Sequence, residues 1–375
     1  MSKAAQPVVL VASSEFTLKS SPVRRTLEQR LIDDLKFALT RASFDGFRIA
    51  KEAARLVVLG AKGSGNPAIP CSSVFGVAYA APAQLLINAS LKDVTGTVVS
   101  LAQQRLQTGQ SFAVRAHRST PGGISRRDVE VNGGAEVMRV MKQQGITVDL
   151  DDPDLTLYVD LVGEDAYVYC ERLQGPGGLP LSSQWKMLAV LDSGPLSILA
   201  AYAMMRRGCV VELFIPISGM VNGLGARTQL NLAWRLDRLA TRPNYKAFTL
   251  EIDELLEKNS KDSHVRSGEW KQLVRSLAAR FAKEKRFRAL VLGDVSGNLD
   301  ASTVAKAELP IFYPLLGLER EDLVELSSLA RISNSELMPN EELEYSLSPI
   351  HGRNIGFTAE FGNLMHEVKF SALTA

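Results

Sequence analysis

The chain has 375 residues, of which 46% are hydrophobic and 22% are charged. This composition is that of a globular protein long enough for two or three domains, and it excludes extensive disorder. The formal net charge of +2 is too small to require a nucleic-acid partner, so such a function must depend on local clusters of Arg and Lys.

Neither a membrane-spanning run nor a secretory signal is expected. No apolar stretch approaches the roughly 18 to 20 residues that cross a bilayer, and the apolar segment Val8 to Ala12 is too short for a signal peptide. We therefore expect a cytoplasmic protein. Cys71, Cys170 and Cys209 are far apart and lack CxxC spacing, so we expect no metal site and interpret them as small buried residues.

The first half of the chain predicts two α+β units, at residues 1–85 and 86–174. The first has predicted strands at Pro7 to Ala12, Phe47 to Ala50, Arg55 to Leu59 and Val74 to Ala80, and a helix with Leu27, Leu31, Leu35 and Leu39 at helical spacing. The second has predicted helices at Val94 to Gln107 and Arg127 to Gln144, and strands at Ser111 to His117, Leu155 to Leu161 and Tyr167 to Arg172.

After the turn-rich joint Gln174 to Pro180, strands and helices alternate over residues 181–340. Near-continuous apolar strands in this alternation predict a parallel sheet with helices on both faces. The predicted strands are Met187 to Leu191, Val210 to Ile217, Phe248 to Ile252 and Ala289 to Leu292, and the helices are Leu196 to Arg206, Arg227 to Leu239, Trp270 to Lys283 and Leu323 to Ala330. Residues 341–375 are expected to form an irregular C-terminal extension.

The segment from Leu188 to Gly208 is built like a phosphate-binding strand, loop and helix. Such a loop offers backbone N–H groups and a helix N-terminus to a phosphate, and Gly194 and Ser197 suit this role. Three loop residues oppose it. Asp192 would repel a triphosphate, Pro195 removes an N–H, and Leu196 offers no polar group.

Several segments, in order along the chain, resemble the tRNA 4-thiouridine synthetase (tRNA sulfurtransferase) family. The matching segments are Glu15 to Arg24 (EFTLKSSPVR), Val74 to Val77 (VFGV), Phe112 to Arg118 (FAVRAHR), Asp152 to Val159 (DPDLTLYV), Gly175 to Pro180 (GPGGLP), Tyr202 to Gly208 (YAMMRRG), Gly293 to Asn298 (GDVSGN) and Pro314 to Leu318 (PLLGL). The resemblance implies an α/β and α+β fold: a ferredoxin-like domain at 1–85, a THUMP domain at 86–174, a doubly wound parallel-sheet PP-loop (adenine nucleotide alpha hydrolase-like) domain at 181–340, and an extension at 341–375.

The resemblance also implies sites for RNA and for a nucleotide. The implied RNA phosphate contacts are Lys19, Arg24, Arg25, Arg115, His117, Arg118, Arg126 and Arg127, although an interpretation of these as solvated surface charges stays open. Family members read Ser-Gly-Gly-x-Asp-Ser where this chain reads Asp192 to Ser197, and Gly-Glu-x-x-Gly-Gln where it reads Gly293 to Asn298. The implied nucleotide-binding residues are Ser193, Gly194, Ser197, Gly293, Asp294, Gly297 and Asn298.

Two hypotheses of function follow from these residues. The favoured one is a tRNA-binding protein that binds the acceptor end through its first two domains and has a PP-loop impaired in ATP use, with no catalytic residue assigned. The alternative is an active ATP-dependent tRNA 4-thiouridine synthetase. It requires ATP, Mg²⁺ and usually the family's sulfur-handling cysteine, whereas no cysteine follows Cys209.

A different ligand for the altered loop, such as a nucleoside, stays open, since fold alone does not determine function. The resemblance further implies a homodimer, and a sulfur carrier or a complete synthetase as a partner, with no membrane contact.

Overall fold

The computed structural model describes residues 5–13, 19–52, 55–120, 123–221, 225–239, 246–259, 269–296, 309–330, 345–349 and 365–370. The chain divides into two units, Met1–Gly177 and Gly178–Ala375. The predicted residues Gly297 and Asn298 lie outside the described part of the chain. Where the chain is described, no helix combines the length and apolar character that crossing a bilayer would require.

One sheet of nine described strands runs through the first unit, in the order β2-β3-β1-β4-β8-β7-β5-β6, with β9 paired to β4. Its strands are β1 (Gln6–Ser13), β2 (Arg48–Glu52), β3 (Arg55–Leu59), β4 (Val77–Leu86), β5 (Ser111–Arg118), β6 (Thr147–Val148), β7 (Leu155–Val162), β8 (Asp165–Tyr169) and β9 (Leu173–Gln174). Its helices are α1 (Ser21–Arg41), α2 (Ala68–Ser72), α3 (Leu91–Arg105) and α4 (Arg126–Val140).

Strand β4 joins the two predicted N-terminal domains into this sheet. Along its length β4 pairs antiparallel with β1, and its last residues pair with β8, Gln84 opposite Val168 and Leu86 opposite Ala166. The predicted boundary between residues 85 and 86 therefore falls at the end of a strand that is bonded on both sides. Division of this unit into a ferredoxin-like and a THUMP domain at that residue remains a proposal.

The helices of the first unit follow the apolar spacing of the sequence. Leu27, Leu31, Leu35 and Leu39 are all buried on α1, which confirms the predicted helical face. Helix α3 begins at a capping box in which Ser90 and Asp93 satisfy each other's backbone N–H groups. Helix α4 ends at Val140, earlier than predicted, because Lys142–Gln144 tighten into a 3-10 turn that stops at the left-handed Gly145 (φ 64°).

The second unit has a sheet of seven described strands, in the order β14-β13-β10-β11-β12-β16-β15. Its strands are β10 (Lys186–Val190), β11 (Val210–Ile217), β12 (Ala247–Glu251), β13 (Leu290–Val291), β14 (Ile311–Phe312), β15 (Tyr345–Pro349) and β16 (Met365–Phe370). Its helices are α5 (Pro195–Arg206), α6 (Ala226–Leu239), α7 (Asp253–Asn259), α8 (Glu269–Glu284) and α9 (Arg320–Leu329). The pairings from β14 to β12 are parallel, as predicted.

The C-terminal tail differs from the expected irregular extension. Its described residues form β15 and β16, which pair antiparallel with each other, and β16 pairs antiparallel with β12. The prediction was wrong here because the strands are stabilised by pairing with a distant strand, which local sequence pattern does not reveal.

Helix α8 carries much of the apolar core of the second unit. Its Val274, Ala278 and Phe281 are fully buried, and the Phe281 ring lies edge-on to Phe248, with ring centroids 4.9 Å apart. This buried face fixes α8 against the sheet. It also holds Arg275, the neighbour of Val274, inside the protein.

Candidate functional site

The loop between β10 and α5 is folded upon itself. Gly194 has φ 58° and ψ −133°, a conformation that favours glycine, and Pro195 opens the helix without an N–H. The Ser193 N–H donates to Ser197 Oγ at 3.0 Å, and the Ser197 N–H donates to the Gly194 carbonyl at 3.1 Å. Two amides that a phosphate-binding loop could offer to its ligand are therefore bonded within the loop, and a third position has no N–H.

The facing loop after β13 lies directly against this helix N-terminus. A Cβ atom added to Gly293 would lie 2.6 Å from the Ser197 nitrogen and 2.7 Å from the Leu196 carbonyl carbon. Only glycine permits this approach. The structure thus brings together the predicted residues Ser193, Gly194, Ser197, Gly293 and Asp294.

One buried arginine links the two loops. Arg275 Nε donates to Asp192 Oδ2 at 2.5 Å, and Arg275 Nη2 donates to Asp294 Oδ1 at 2.9 Å. We call these three residues the Asp-Arg-Asp trio; their side chains are at most 2% exposed. Burial lowers the pKa of Arg275, but the two aspartates outweigh burial and raise it above its ordinary range.

The trio corrects one expectation from the sequence. Asp192 is not a free negative charge that would face a triphosphate, because Arg275 neutralises it. Sequence reasoning missed Arg275, since an arginine in an amphipathic helix is usually a surface residue. The available signal was Asp192 itself: a carboxylate directly after a buried strand requires a cationic partner.

In the first unit, the predicted RNA-contacting residues fall into two groups. Lys19, Arg25 and Arg127 are exposed and form no hydrogen bond or ion pair with other described residues. The other four basic side chains have partners: Arg24 with Glu28 (2.7 Å), Arg115 with the Leu150 carbonyl (2.7 Å), Arg126 with the Ala116 carbonyl (2.9 Å), and Arg118 with the Thr120 (3.1 Å) and Ile124 carbonyls. Arg118 therefore holds the loop before α4.

His117 lies beside a buried acid. Its Nδ1 is 3.9 Å from Asp160 Oδ1, and 62% of its side chain is exposed. Burial, followed by the nearby charges of Arg55 and Arg126, lowers the pKa of His117. The lowered pKa favours the uncharged imidazole, whose ring nitrogens form hydrogen bonds rather than supply a positive charge.

Next to His117 lies a cluster of tyrosines that the sequence reasoning did not identify. The Arg172 guanidinium lies 3.7 Å from the centroid of the Tyr158 ring, and its Nη2 donates to the Tyr169 hydroxyl at 3.1 Å. The Tyr169 hydroxyl donates in turn to Asp160 Oδ2 at 2.9 Å, and Arg55 pairs with the same oxygen. The charge of Asp160 is therefore balanced from within the unit.

Comparison with known proteins identifies both halves of the chain. The THUMP domain family model matches residues 88–171, and the model described as thiamine biosynthesis protein (ThiI) matches residues 182–340. A probable tRNA sulfurtransferase of Aeropyrum pernix is 30% identical over 335 residues, which cover 85% of this chain and 82% of that protein. The chain belongs to the tRNA sulfurtransferase family.

Other relatives agree with this assignment to the tRNA sulfurtransferase family. The tRNA sulfurtransferase of Pyrobaculum aerophilum is 30% identical over 85% of this chain, although the chain spans only 65% of that relative's length. The crystal structure of a 4-thiouridine synthetase–RNA complex with bound ATP matches with a TM-score of 0.71 and 19% identity, over 88% of this chain and 86% of that chain. The structure of PH1313 from Pyrococcus horikoshii matches with a TM-score of 0.64 and 20% identity, over 86% of this chain and 98% of that chain.

The two solved structures, both under 25% identical, support the fold alone. The first unit contains the THUMP region of the family. The second contains the doubly wound parallel-sheet domain that the sequence predicted.

The cysteines of this tRNA sulfurtransferase family member are poor nucleophiles. Burial raises the pKa of the Cys71 thiol to about 12. It also raises that of Cys209 to about 11, which Arg207 only partly offsets. The pKa of the half-buried Cys170 is raised as well, chiefly by burial. Each thiol is therefore protonated at neutral pH, whereas a thiolate is the reactive form.

Alkylation rates will show this protection. At pH 8 we expect iodoacetamide to label Cys170 first, and to label Cys71 and Cys209 only when the chain unfolds, because both are buried. Mass spectrometry of the labelled peptides measures the order, and Cys170→Ser removes the early product. Rapid native labelling of Cys209 would contradict the protected thiol.

Proposed function

We propose that this chain is a cytoplasmic tRNA-binding member of the tRNA sulfurtransferase family whose PP-loop no longer binds ATP in the family's way. The observation that carries the proposal is the closed loop before α5. The Ser193 and Ser197 amides are bonded within the loop, and Pro195 has no amide hydrogen. A triphosphate would have to break these bonds to reach the helix N-terminus.

The first unit supports the RNA-binding part of the proposal. Lys19, Arg25 and Arg127 carry exposed charges that are not used within the unit, and Arg115 remains exposed although one nitrogen bonds to Leu150. Such residues contact phosphates and fix the position of an RNA end. The 4-thiouridine synthetase relative was crystallised with RNA, which agrees with this role.

Removal of two unpaired charges tests the RNA surface. We expect Arg25→Ala/Arg127→Ala to weaken tRNA binding about tenfold and to reduce the slope of log affinity against log salt by about 2, one for each lost phosphate contact. Filter binding over a salt series measures both quantities. The matched control Lys92→Ala/Lys142→Ala removes the same charge from exposed positions of the same unit, and its slope should stay near wild type. Equal slopes of log affinity against log salt for both double variants would contradict the proposed phosphate contacts of Arg25 and Arg127.

Calorimetric titration with Mg²⁺ and ATP tests the second unit. We expect a dissociation constant above about 1 mM, which corresponds to a binding free energy of less than about 4 kcal/mol in magnitude. Micromolar binding would favour the alternative, an active synthetase. Deletion of this chain tests the alternative in the cell, because 4-thiouridine that persists in tRNA after deletion would contradict an active synthetase.

Exposed apolar side chains support a partner surface on the second unit. Phe312 lies on the sheet-edge strand β14, and Leu316 and Val324 follow in the next loop and in α9, with exposures of 37%, 45% and 63%. Exposed apolar residues near a sheet edge are typical of association surfaces. We propose a homodimer or a complete synthetase as the partner, and light scattering of the purified chain distinguishes the two.

A further inference from the structure

We propose that the second unit fills its own nucleotide site: the Asp192 carboxylate takes the place of a phosphate, and the Arg275 guanidinium takes the place of the metal ion. This inference rests on the proposed function, because it explains why the ThiI region would not take up ATP. The trio residues are at most 3% exposed and lie where the two family loops meet.

The trio contains a negative charge close to the beginning of α5. Helix N-termini attract anions because the helix dipole and the free amides are positive there. Asp192 stands two residues before Gly194, the residue that caps α5, and its side chain is 0% exposed. Its other oxygen accepts from the Ser193 hydroxyl at 2.9 Å. The chain thus supplies a buried negative charge of its own in the loop that precedes α5.

The trio also contains a positive charge, which lies between the two carboxylates. Carboxylate oxygens are the ligands that Mg²⁺ prefers, and Asp192 and Asp294 come from the two loops that the family uses. Here both accept hydrogen bonds from Nε and Nη2 of one guanidinium, at 2.5 and 2.9 Å. A divalent ion in the same place would bring a second cation against a buried guanidinium. The residues present therefore do not fit ATP with Mg²⁺.

The charge balance of the trio depends on Arg275. Arg275 Nη1 and Asp294 Oδ2 are buried and have no hydrogen-bond partner among the described residues. The formal charges of one arginine and two aspartates leave one negative charge within the protein. Loss of the arginine would leave two buried carboxylates side by side, an arrangement that strongly favours unfolding or the entry of another cation.

The experiment replaces the internal cation in the full-length chain. We expect Arg275→Met to lower the unfolding midpoint of the second unit by about 10 °C without divalent ions, because two carboxylates lose their counter-charge. Millimolar Mn²⁺ should restore much of this loss in Arg275→Met and leave the wild-type midpoint unchanged. Calorimetry with and without Mn²⁺ measures both effects.

A neutral trio provides the matched control. Asp192→Asn/Arg275→Met/Asp294→Asn removes all three charges together, so we expect it to fold with a midpoint near wild type and without response to Mn²⁺. If Arg275→Met does not fold, the unfolding midpoint of the neutral trio is compared with that of wild type instead. The proposal is overturned if Arg275→Met keeps the wild-type midpoint, or if the neutral trio is no more stable than Arg275→Met.

Binding of tRNA to the same variants separates this inference from the proposed function. The trio lies in the second unit, whereas the proposed phosphate contacts lie in the first. We expect wild type and the neutral trio to bind tRNA equally. Absence of tRNA binding by wild type would defeat the proposed function but leave the internal charges intact. A wild-type midpoint for Arg275→Met would overturn the inference alone, and micromolar Mg²⁺-ATP binding by wild type would overturn both.

Discussion

Gly293→Ala is expected to destabilise the second unit by about 3 kcal/mol, the upper range for overpacking a filled site. The added methyl group would lie 2.6 Å from the Ser197 nitrogen and 2.8 Å from its Cα, both backbone atoms at the beginning of a buried helix. Neither atom can move aside as the end of a flexible side chain would. The loop after β13 must withdraw, and the hydrogen bond from Arg275 to Asp294 then lengthens.

Thermal unfolding followed by circular dichroism measures this effect, and about 3 kcal/mol corresponds to a fall of roughly 6 to 12 °C for a unit of this size. Gly219→Ala is the matched control at the same edge of the sheet, because among the described residues its methyl group would meet Asp253 Oδ2 alone, at 3.5 Å, an ordinary contact. Its midpoint should stay near wild type. Equal stability of the two variants would show that the two loops do not touch as described.

Asp160→Ala is expected to destabilise the first unit by about 3 kcal/mol, because it breaks a largely buried ion pair and removes the carboxylate that accepts from Arg55 and Tyr169. The Asp160 side chain is 4% exposed and accepts from Arg55 and from the Tyr169 hydroxyl. The remaining Arg55 side chain is only 18% exposed, so water compensates its charge incompletely.

Urea denaturation measures the loss of stability in Asp160→Ala. Two variants serve as controls. Asp151→Ala removes an exposed carboxylate from the same unit and should change stability by no more than about 0.5 kcal/mol. Asp160→Asn keeps an acceptor for Tyr169, so its loss of stability should lie between those of Asp160→Ala and Asp151→Ala. If Asp160→Ala matches Asp151→Ala, the buried pair contributes nothing to stability.

The sequence predicted those features whose causes are local. The leucine spacing predicted the buried face of α1, and the apolar runs predicted the buried strands of the second unit. The parallel pairings of those strands were also predicted. The resemblance also assigned residues of the loops before α5 and after β13 to one implied nucleotide site, and the structure brings these two loops together at the carboxyl edge of the sheet.

The features that were missed depend on distant partners. Arg275 looks like any exposed arginine of an amphipathic helix until Asp192 and Asp294, 83 and 19 residues away, are placed beside it. The strand character of the tail likewise depends on pairing with β12. In the first unit, the bonds from Arg118 to the Thr120 and Ile124 carbonyls were not expected from the sequence, whereas its predicted contact with RNA stays a prediction. Local pattern shows the charge of such a residue but not its partner.

The pairing of β4 with β8 has a consequence for how the first unit can be divided. A fragment beginning at residue 86 would retain β8 but lose the strand on its outer side, which leaves a row of unsatisfied backbone groups open to self-association. We therefore expect a fragment that begins at residue 86 to associate with itself more readily than a fragment that runs from β1 to β9.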